Sequence, residues 1–221
     1  MTKKARAYLP ANRFLIVFIL ALYIIGLLLY PYLPDIMPTH WNINGEVDGY
    51  STKTFYVFFF PSLILGVYLL LTFAPVLDPR TDSYKKFTGV VAGFRTVMVI
   101  ILALIYLAPM AMALGYPVSV SKIVRFAIGF MLVFIGNYFG KVRHNYTFGI
   151  KTPWTLANEE VWNKTHRFSG PLWVAAGFVW ILSIFLNDNL AFKIDMAAMI
   201  LVALIGMVYS YILFRKLADR G

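Results

Sequence analysis

The sequence predicts an all-α integral membrane protein: a bundle of about six transmembrane helices with an ordered outer loop and a cytoplasmic interfacial helix. Three observations predict it. Of 221 residues, 60% are hydrophobic and 14% are charged, whereas a soluble domain carries roughly a quarter charged residues. Six apolar runs, at 14–32, 55–77, 94–114, 123–139, 171–186 and 192–214, approach the ~20 residues that cross a hydrocarbon core of about 30 Å. The third observation is the placement of charge. With the N-terminus in the cytoplasm, sixteen of the twenty basic residues fall inside and four outside (Lys53, Lys122, Arg125 and Lys193), while the ten acidic residues split five and five. That asymmetry follows the positive-inside rule and predicts a multi-pass protein of the plasma membrane with both termini cytoplasmic. It also accounts for the net charge of +10 without direct nucleic-acid binding, which would need the charge gathered on one face. The absence of cysteine excludes disulfides, thiolate metal sites and a cysteine nucleophile.

Residues 1–93 form a two-span region with a structured extracellular loop at 33–54, and 94–221 a four-span region with a cytoplasmic motif stretch at 136–170. Met1 to Arg13 is a basic arm that orients the chain and touches anionic lipid. The first span ends at Tyr30, Pro31 and Tyr32, where aromatic rings favour the interface and proline stops the helix. It is longer than a signal peptide's apolar region and lacks a small-residue cleavage site, so it is expected to be retained.

The outer loop is rich in turn formers. Pro34 and Pro38 stiffen its entry, while Asn44-Gly45 and Asp48-Gly49 signal tight turns, which predicts a small hairpin or double turn. Asn42, Asn44, Glu46 and Asp48 alternate oxygen ligands, but the spacing departs from a calcium loop and no bidentate Glu follows; plain turn chemistry is expected and no metal site is assigned. Further on, the charges of Asp78 to Lys86 are expected to be solvated, and Arg95 to snorkel towards the headgroups. Asn137, between Gly136 and Gly140, is expected to face other helices or a polar cavity, the glycines letting a neighbouring backbone approach.

The stretch from Gly136 to Gly170 is the longest polar interruption in the chain, and the remaining candidates cluster there. Lys141, Arg143, Asn145 and Lys151 lie among aromatic rings, and Gly149 and Pro153 imply a tightly folded connection. Thr155 is expected to cap a helix running to about Ser169, with Glu159 and Glu160 in its first turns. On that helix Trp162 and His166 share a face. The bland reading is an interfacial amphipathic helix packed across the inner mouth; the sharper one is a pocket for a lipid headgroup, peptide or protein built by Trp154, Trp162, His166 and Arg167.

Catalysis has little support. His40 falls on the opposite side of the membrane from His144 and His166, which excludes a three-histidine zinc site. A Glu160–His166 acid–base pair has no recognised spacing, and no intramembrane acid is available for a proton relay, Asp195 lying near an outer end. No catalytic residue is assigned and no cofactor is expected.

Two blocks resemble the SdpI family of bacterial membrane proteins, whose best-known member gives immunity against a secreted killing peptide. The loop PTHWNINGEVDGYSTK (Pro38 to Lys53) is similar to the family's N-terminal motif. GNYFGKVRHNYTFGIKTPWTL, followed by VWNKTHRFSG, is similar to its C-terminal signature, with Lys151 where arginine is common and His144 where proline is frequent. The resemblance implies a membrane immunity protein that neutralises a secreted toxin peptide at the outer face and that, as in the best-known system, holds a transcriptional repressor at the membrane. The residues expected to contact the toxin are His40, Trp41, Asn42, Asp48 and Tyr50; those expected to meet an inner partner or membrane lipids are Asn137, Lys151, Trp154, Trp162, His166 and Arg167. The alternative is a lipid-handling membrane enzyme or small transporter with its site at the cytoplasmic mouth, around Asn137, Lys151, Glu160 and His166.

Overall fold

The computed structural model describes residues 12–219; the basic arm, apart from Asn12 and Arg13, lies outside them. Helices α1 (Arg13–Leu29), α2 (Lys53–Leu77), α3 (Thr88–Ala113), α4 (Val120–Phe139), α6 (Glu159–Leu182) and α7 (Asp188–Ala218) are the long elements, with a short α5 (Pro153–Ala157) before α6. The six long helices are each long and apolar enough to cross a membrane. Their outward faces carry exposed Leu20, Leu27, Phe58, Leu70, Leu201 and Ile212, because with lipid as solvent the apolar side chains need no protein cover and only the backbone must be satisfied internally.

Between α1 and α2 the predicted hairpin is present. Strands β1 (Ile36–Trp41) and β2 (Val47–Thr52) pair antiparallel, with irregular register around His40. The Asn44-Gly45 turn closes it, Gly45 holding φ +77°. Asn42 organises the turn: its side-chain oxygen accepts from the N–H of Asn44 (2.9 Å) and of Glu46 (3.1 Å), the local bonding that suits asparagine to turns. Thr52 then caps α2 by accepting from the N–H of Phe55.

α1, α2 and α3 enclose one core of Leu15, Ile19, Leu22, Val57, Tyr56 and Tyr106, where the Tyr56 hydroxyl donates to the Tyr106 carbonyl at 2.6 Å. The most extensive packing joins α4 to α6, and glycine explains it. A Cβ on Gly136 would lie 2.6 Å from the Gly170 carbonyl oxygen, and one on Gly177 2.6 Å from that of Gly129. Gly129 and Gly136 on one helix thus meet Gly177 and Gly170 on the other, at a spacing of seven residues in each, so the two backbones touch at two levels. The approach expected at Gly136 is present; Gly140 has open space around it.

Four expectations need correction. No separate interfacial helix covers 155–169: α6 runs unbroken from Glu159 through Pro171 to Leu182, as membrane helices tolerate proline where neighbours re-satisfy the backbone. Thr155 is not the cap of that helix. Thr152 caps α5 in a reciprocal capping box with Thr155, and Asn158 caps α6, accepting from the N–H of Glu160 and Val161. Arg95 does not snorkel; it is buried, donates to Thr72 at 3.0 Å and lies over the Tyr68 ring. Asp78 is not solvated but buried.

Candidate functional site

Hairpin, α3–α4 turn and α6–α7 turn gather at one end of the bundle and enclose a cavity of about 350 Å³. His40, Trp41 and Asn42 line it from β1, Tyr56 and Phe60 from α2, and Arg125 from α4. The hairpin is latched over the α7 start, where the Asn189 side chain donates to Asn44 Oδ1 at 2.9 Å and Asp188 packs so closely on Gly45 that a Cβ there would collide. His40 Nδ1 sits 2.5 Å from Asp48 Oδ1 across the strands, which orients the imidazole at the cavity rim. Tyr50 is exposed on β2, outside the cavity lining.

The cavity floor is charged. Arg125 Nη1 lies 2.5 Å from Asp188 Oδ1 and its Nε 3.5 Å from Asp195 Oδ2. Asp195 is 2% exposed, so the expectation that no buried acid exists among the helices is overturned. Arg125 and Asp195 look like outer-end charges in the sequence because the partner of Arg125, Asp188, lies 63 residues away on another helix.

The motif stretch forms the opposite end. Its connection is held by Asn145, fully buried, whose Oδ1 accepts from the N–H of Thr147 (2.8 Å) and Phe148 (2.6 Å) while Nδ2 donates to the carbonyls of Arg143 and Phe148. Asp78, at the end of α2, ties this loop to the bundle. Its carboxylate accepts from the N–H of Arg80 (2.8 Å), the hydroxyl of Tyr84 (2.6 Å), the N–H of Tyr146 (2.8 Å) and the hydroxyl of Thr147 (3.0 Å). Burial pushes the Asp78 carboxyl up, but those four donors together outweigh it and hold it below the usual carboxylate range. Burial, with the Arg80 charge second, lowers the His144 imidazole.

Trp162 and His166 do share a face, stacked with ring centroids 4.2 Å apart, and both are fully buried. Every polar atom of the pair is engaged. Trp162 Nε1 donates to the Val142 carbonyl at 3.0 Å. The Ile150 N–H donates to His166 Nε2 at 2.8 Å, which leaves the proton on Nδ1, 2.8 Å from the Trp162 carbonyl it donates to. Gly149, at φ +114°, makes this possible: its Cβ would collide with His166 Nε2. His166 is therefore the keystone of the loop, with no free nitrogen for proton transfer; Glu160 is exposed and pairs with Lys164 at 2.6 Å.

The other inner candidates are dispersed. Trp154 packs on Tyr211 of α7, with centroids 5.0 Å apart. Lys151 is exposed and donates to the Thr147 carbonyl, and Arg167 is exposed. Asn137 is also exposed and donates to Val133 of its own helix, not to another helix. None of the four lines the second cavity, an apolar space of about 500 Å³ between α3, α4, α6 and α7. Phe94, Phe134, Phe148, Ile150, Trp173 and Met207 are among its walls, and Trp173 Nε1 is buried without a partner among the described residues.

The comparisons with known proteins agree with the two blocks singled out in the sequence. Residues 141–213 match the model of the SdpI/YfhL protein family, and residues 17–65 that of a domain of unknown function, DUF1648. The chain is 28% identical over 195 residues to the "Immunity protein SdpI" of Bacillus subtilis (strain 168), covering 88% of this chain and 91% of that protein. No solved structure matches it. Together with six helices long and apolar enough to cross a membrane, these matches make the chain similar to the SdpI/YfhL family over residues 141–213 and to an immunity protein over most of its length.

Proposed function

We propose that this protein is a membrane immunity protein that binds a secreted killing peptide at its hairpin end, and that this end faces outward with both termini in the cytoplasm. The likeness to an immunity protein over nine-tenths of both chains carries the activity. The orientation is supported by the sixteen-to-four division of basic residues. The place of contact is supported by the cavity under the hairpin, which presents His40, Trp41 and Asn42 on a rim that a peptide can reach without crossing the bundle. An aromatic and hydrogen-bonding rim over a partly apolar pocket is the composition that binding sites use. Exposed Lys151 and Arg167 at the other end supply a basic surface for the repressor that the family resemblance implies.

Direct binding tests this reading. The protein in lipid nanodiscs is expected to retain the fluorescently labelled killing peptide, and a Trp41→Ala, Asp48→Ala double variant to weaken that retention at least about tenfold, as for loss of a binding hot spot. Equal retention by both would refute the hairpin contact.

The apolar cavity at the motif end favours one element of a second reading, lipid handling. A space of about 500 Å³ is within the range of small-ligand sites, and an unpartnered indole N–H suits an ester carbonyl. Native mass spectrometry is expected to detect one retained lipid that Trp173→Phe loosens; a lipid-free spectrum from gently solubilised protein would count against it.

A further inference from the structure

We infer that the cavity beneath the hairpin is a cation site, built to receive a primary ammonium group between aromatic walls and the Asp195 carboxylate. The inference deepens the proposed function by naming the chemistry through which the peptide is held, and it rests on that reading for the identity of the ammonium's carrier.

Three observations carry it. First, the charges on the floor do not balance. One guanidinium, that of Arg125, faces two carboxylates, and it is committed to the first: Nη1 is 2.5 Å from Asp188 Oδ1 and Nη2 donates to the Asp188 carbonyl at 3.1 Å. Its approach to Asp195 Oδ2, at 3.5 Å, is longer than a good hydrogen bond. Second, Asp195 is incompletely satisfied. Ser183 Oγ lies 3.1 Å from Oδ2, yet Oδ1 has no hydrogen-bond partner among the described residues although the residue is 2% exposed. A buried carboxylate oxygen left without a donor is costly, and Asp195 lines the cavity. Third, the rest of the wall is apolar and rich in aromatic rings: Trp41, Tyr56, Phe60, Trp180 and Phe192 line the same space.

A cation is the one group that answers all three. An ammonium supplies the donor that Oδ1 lacks, brings the positive charge that two carboxylates and one guanidinium leave uncompensated, and is attracted by the faces of aromatic rings once water is excluded. An anion would meet two carboxylates, and a neutral apolar group would leave Oδ1 orphaned. Peptides carry such a group at the N-terminus or on lysine.

The test needs no killing peptide. Saturation-transfer NMR on the full chain in nanodiscs, titrated with n-butylammonium or with n-butanol, is expected to show the ammonium bound at least about tenfold more tightly than its neutral counterpart. Asp195→Asn keeps the shape and removes the charge, and is expected to abolish that preference. Trp41→Ala, at the half-exposed rim, is expected to weaken the ammonium several-fold; it decides the matter if the Asp195 variant does not fold. Acetyl-Gly-Lys-Gly-amide and Gly-Gly-Gly-amide then separate a lysine side chain from a peptide N-terminus as the carrier. Equal binding of ammonium and alcohol by the wild type, a preference that survives Asp195→Asn, or an unchanged affinity in folded Trp41→Ala would overturn the assignment. Ammonium bound by a chain that fails to bind the killing peptide retires the immunity reading and leaves the cation site; the killing peptide bound without any ammonium preference retires the cation site alone.

Discussion

Replacing Gly136 or Gly177 by valine is expected to force α4 and α6 apart and to lower stability by about 3 kcal/mol, the upper end of what overpacking costs. The reason is that the obstructing atoms are backbone. At both positions the added Cβ would sit 2.6 Å from a carbonyl oxygen of the facing helix, and a helix axis cannot yield locally as a side-chain tip can. Without a hydrophobic drive between helices in lipid, close backbone approach at small residues supplies much of the association. Gly66→Ala is the matched control. Nothing lies within 4 Å of a Cβ there, so the variant gains helix propensity without a clash and is expected to be neutral or up to about 1 kcal/mol more stable. Thermal unfolding in one detergent measures all three; valine variants as stable as wild type would show that the glycines are not where the helices touch. Since α4 bears Arg125 and α6 bears Trp180, the same variants should loosen the cavity under the hairpin as well.

Asp78→Ala is expected to cost about 3 kcal/mol, the effect of leaving buried donors without their acceptor. Four donors converge on this carboxylate, and alanine orphans the N–H of Arg80 and of Tyr146 and the Thr147 hydroxyl, leaving Tyr84 only its longer bond to Asn145 at 3.2 Å. Asparagine is no remedy, because its amide NH2 would point donors at donors. The network also sets an acid limit. Asp78 titrates below its unfolded value, so its contribution is complete above about pH 4 and is lost as pH falls through the folded value. His144 is likewise depressed when folded, so its contribution is complete above about pH 6.5 and declines as pH falls below that. A melting temperature that drops on acidification in wild type, with the lower leg missing in Asp78→Asn, is the expected profile. An alanine variant within about 0.5 kcal/mol of wild type would place Asp78 among ordinary surface residues.

Much of the architecture was legible in composition and spacing. Apolar runs of membrane length became six helices, Asn44-Gly45 became the hairpin turn, and the four-residue separation of Trp162 and His166 became a stacked pair. What stayed hidden was the fate of charge. Asp78, Arg95, Arg125 and Asp195 look like loop or interface residues because partners that bury them come from distant parts of the sequence. Their partners are Tyr146 and Thr147, Thr72, Asp188 and Ser183, each brought in by the folding of the chain. The expected helix end near Ser169 is absent for a related reason: α6 continues through Pro171, with Gly170 and Gly177 packed against the α4 backbone. His166 was visible as unusual, yet its role in holding the Ile150 N–H depends on Gly149 adopting a positive φ, which no spacing reveals.

The central claim is that this chain confers immunity through its hairpin end. Survival of a sensitive bacterium expressing the protein and challenged with the killing peptide tests it most directly, beside an empty vector and a Trp41→Ala, Asp48→Ala variant matched for membrane expression. Protection by wild type and its loss in the variant is the predicted result. A well-expressed wild type that dies with the vector, or a variant that protects as fully as wild type, would contradict it.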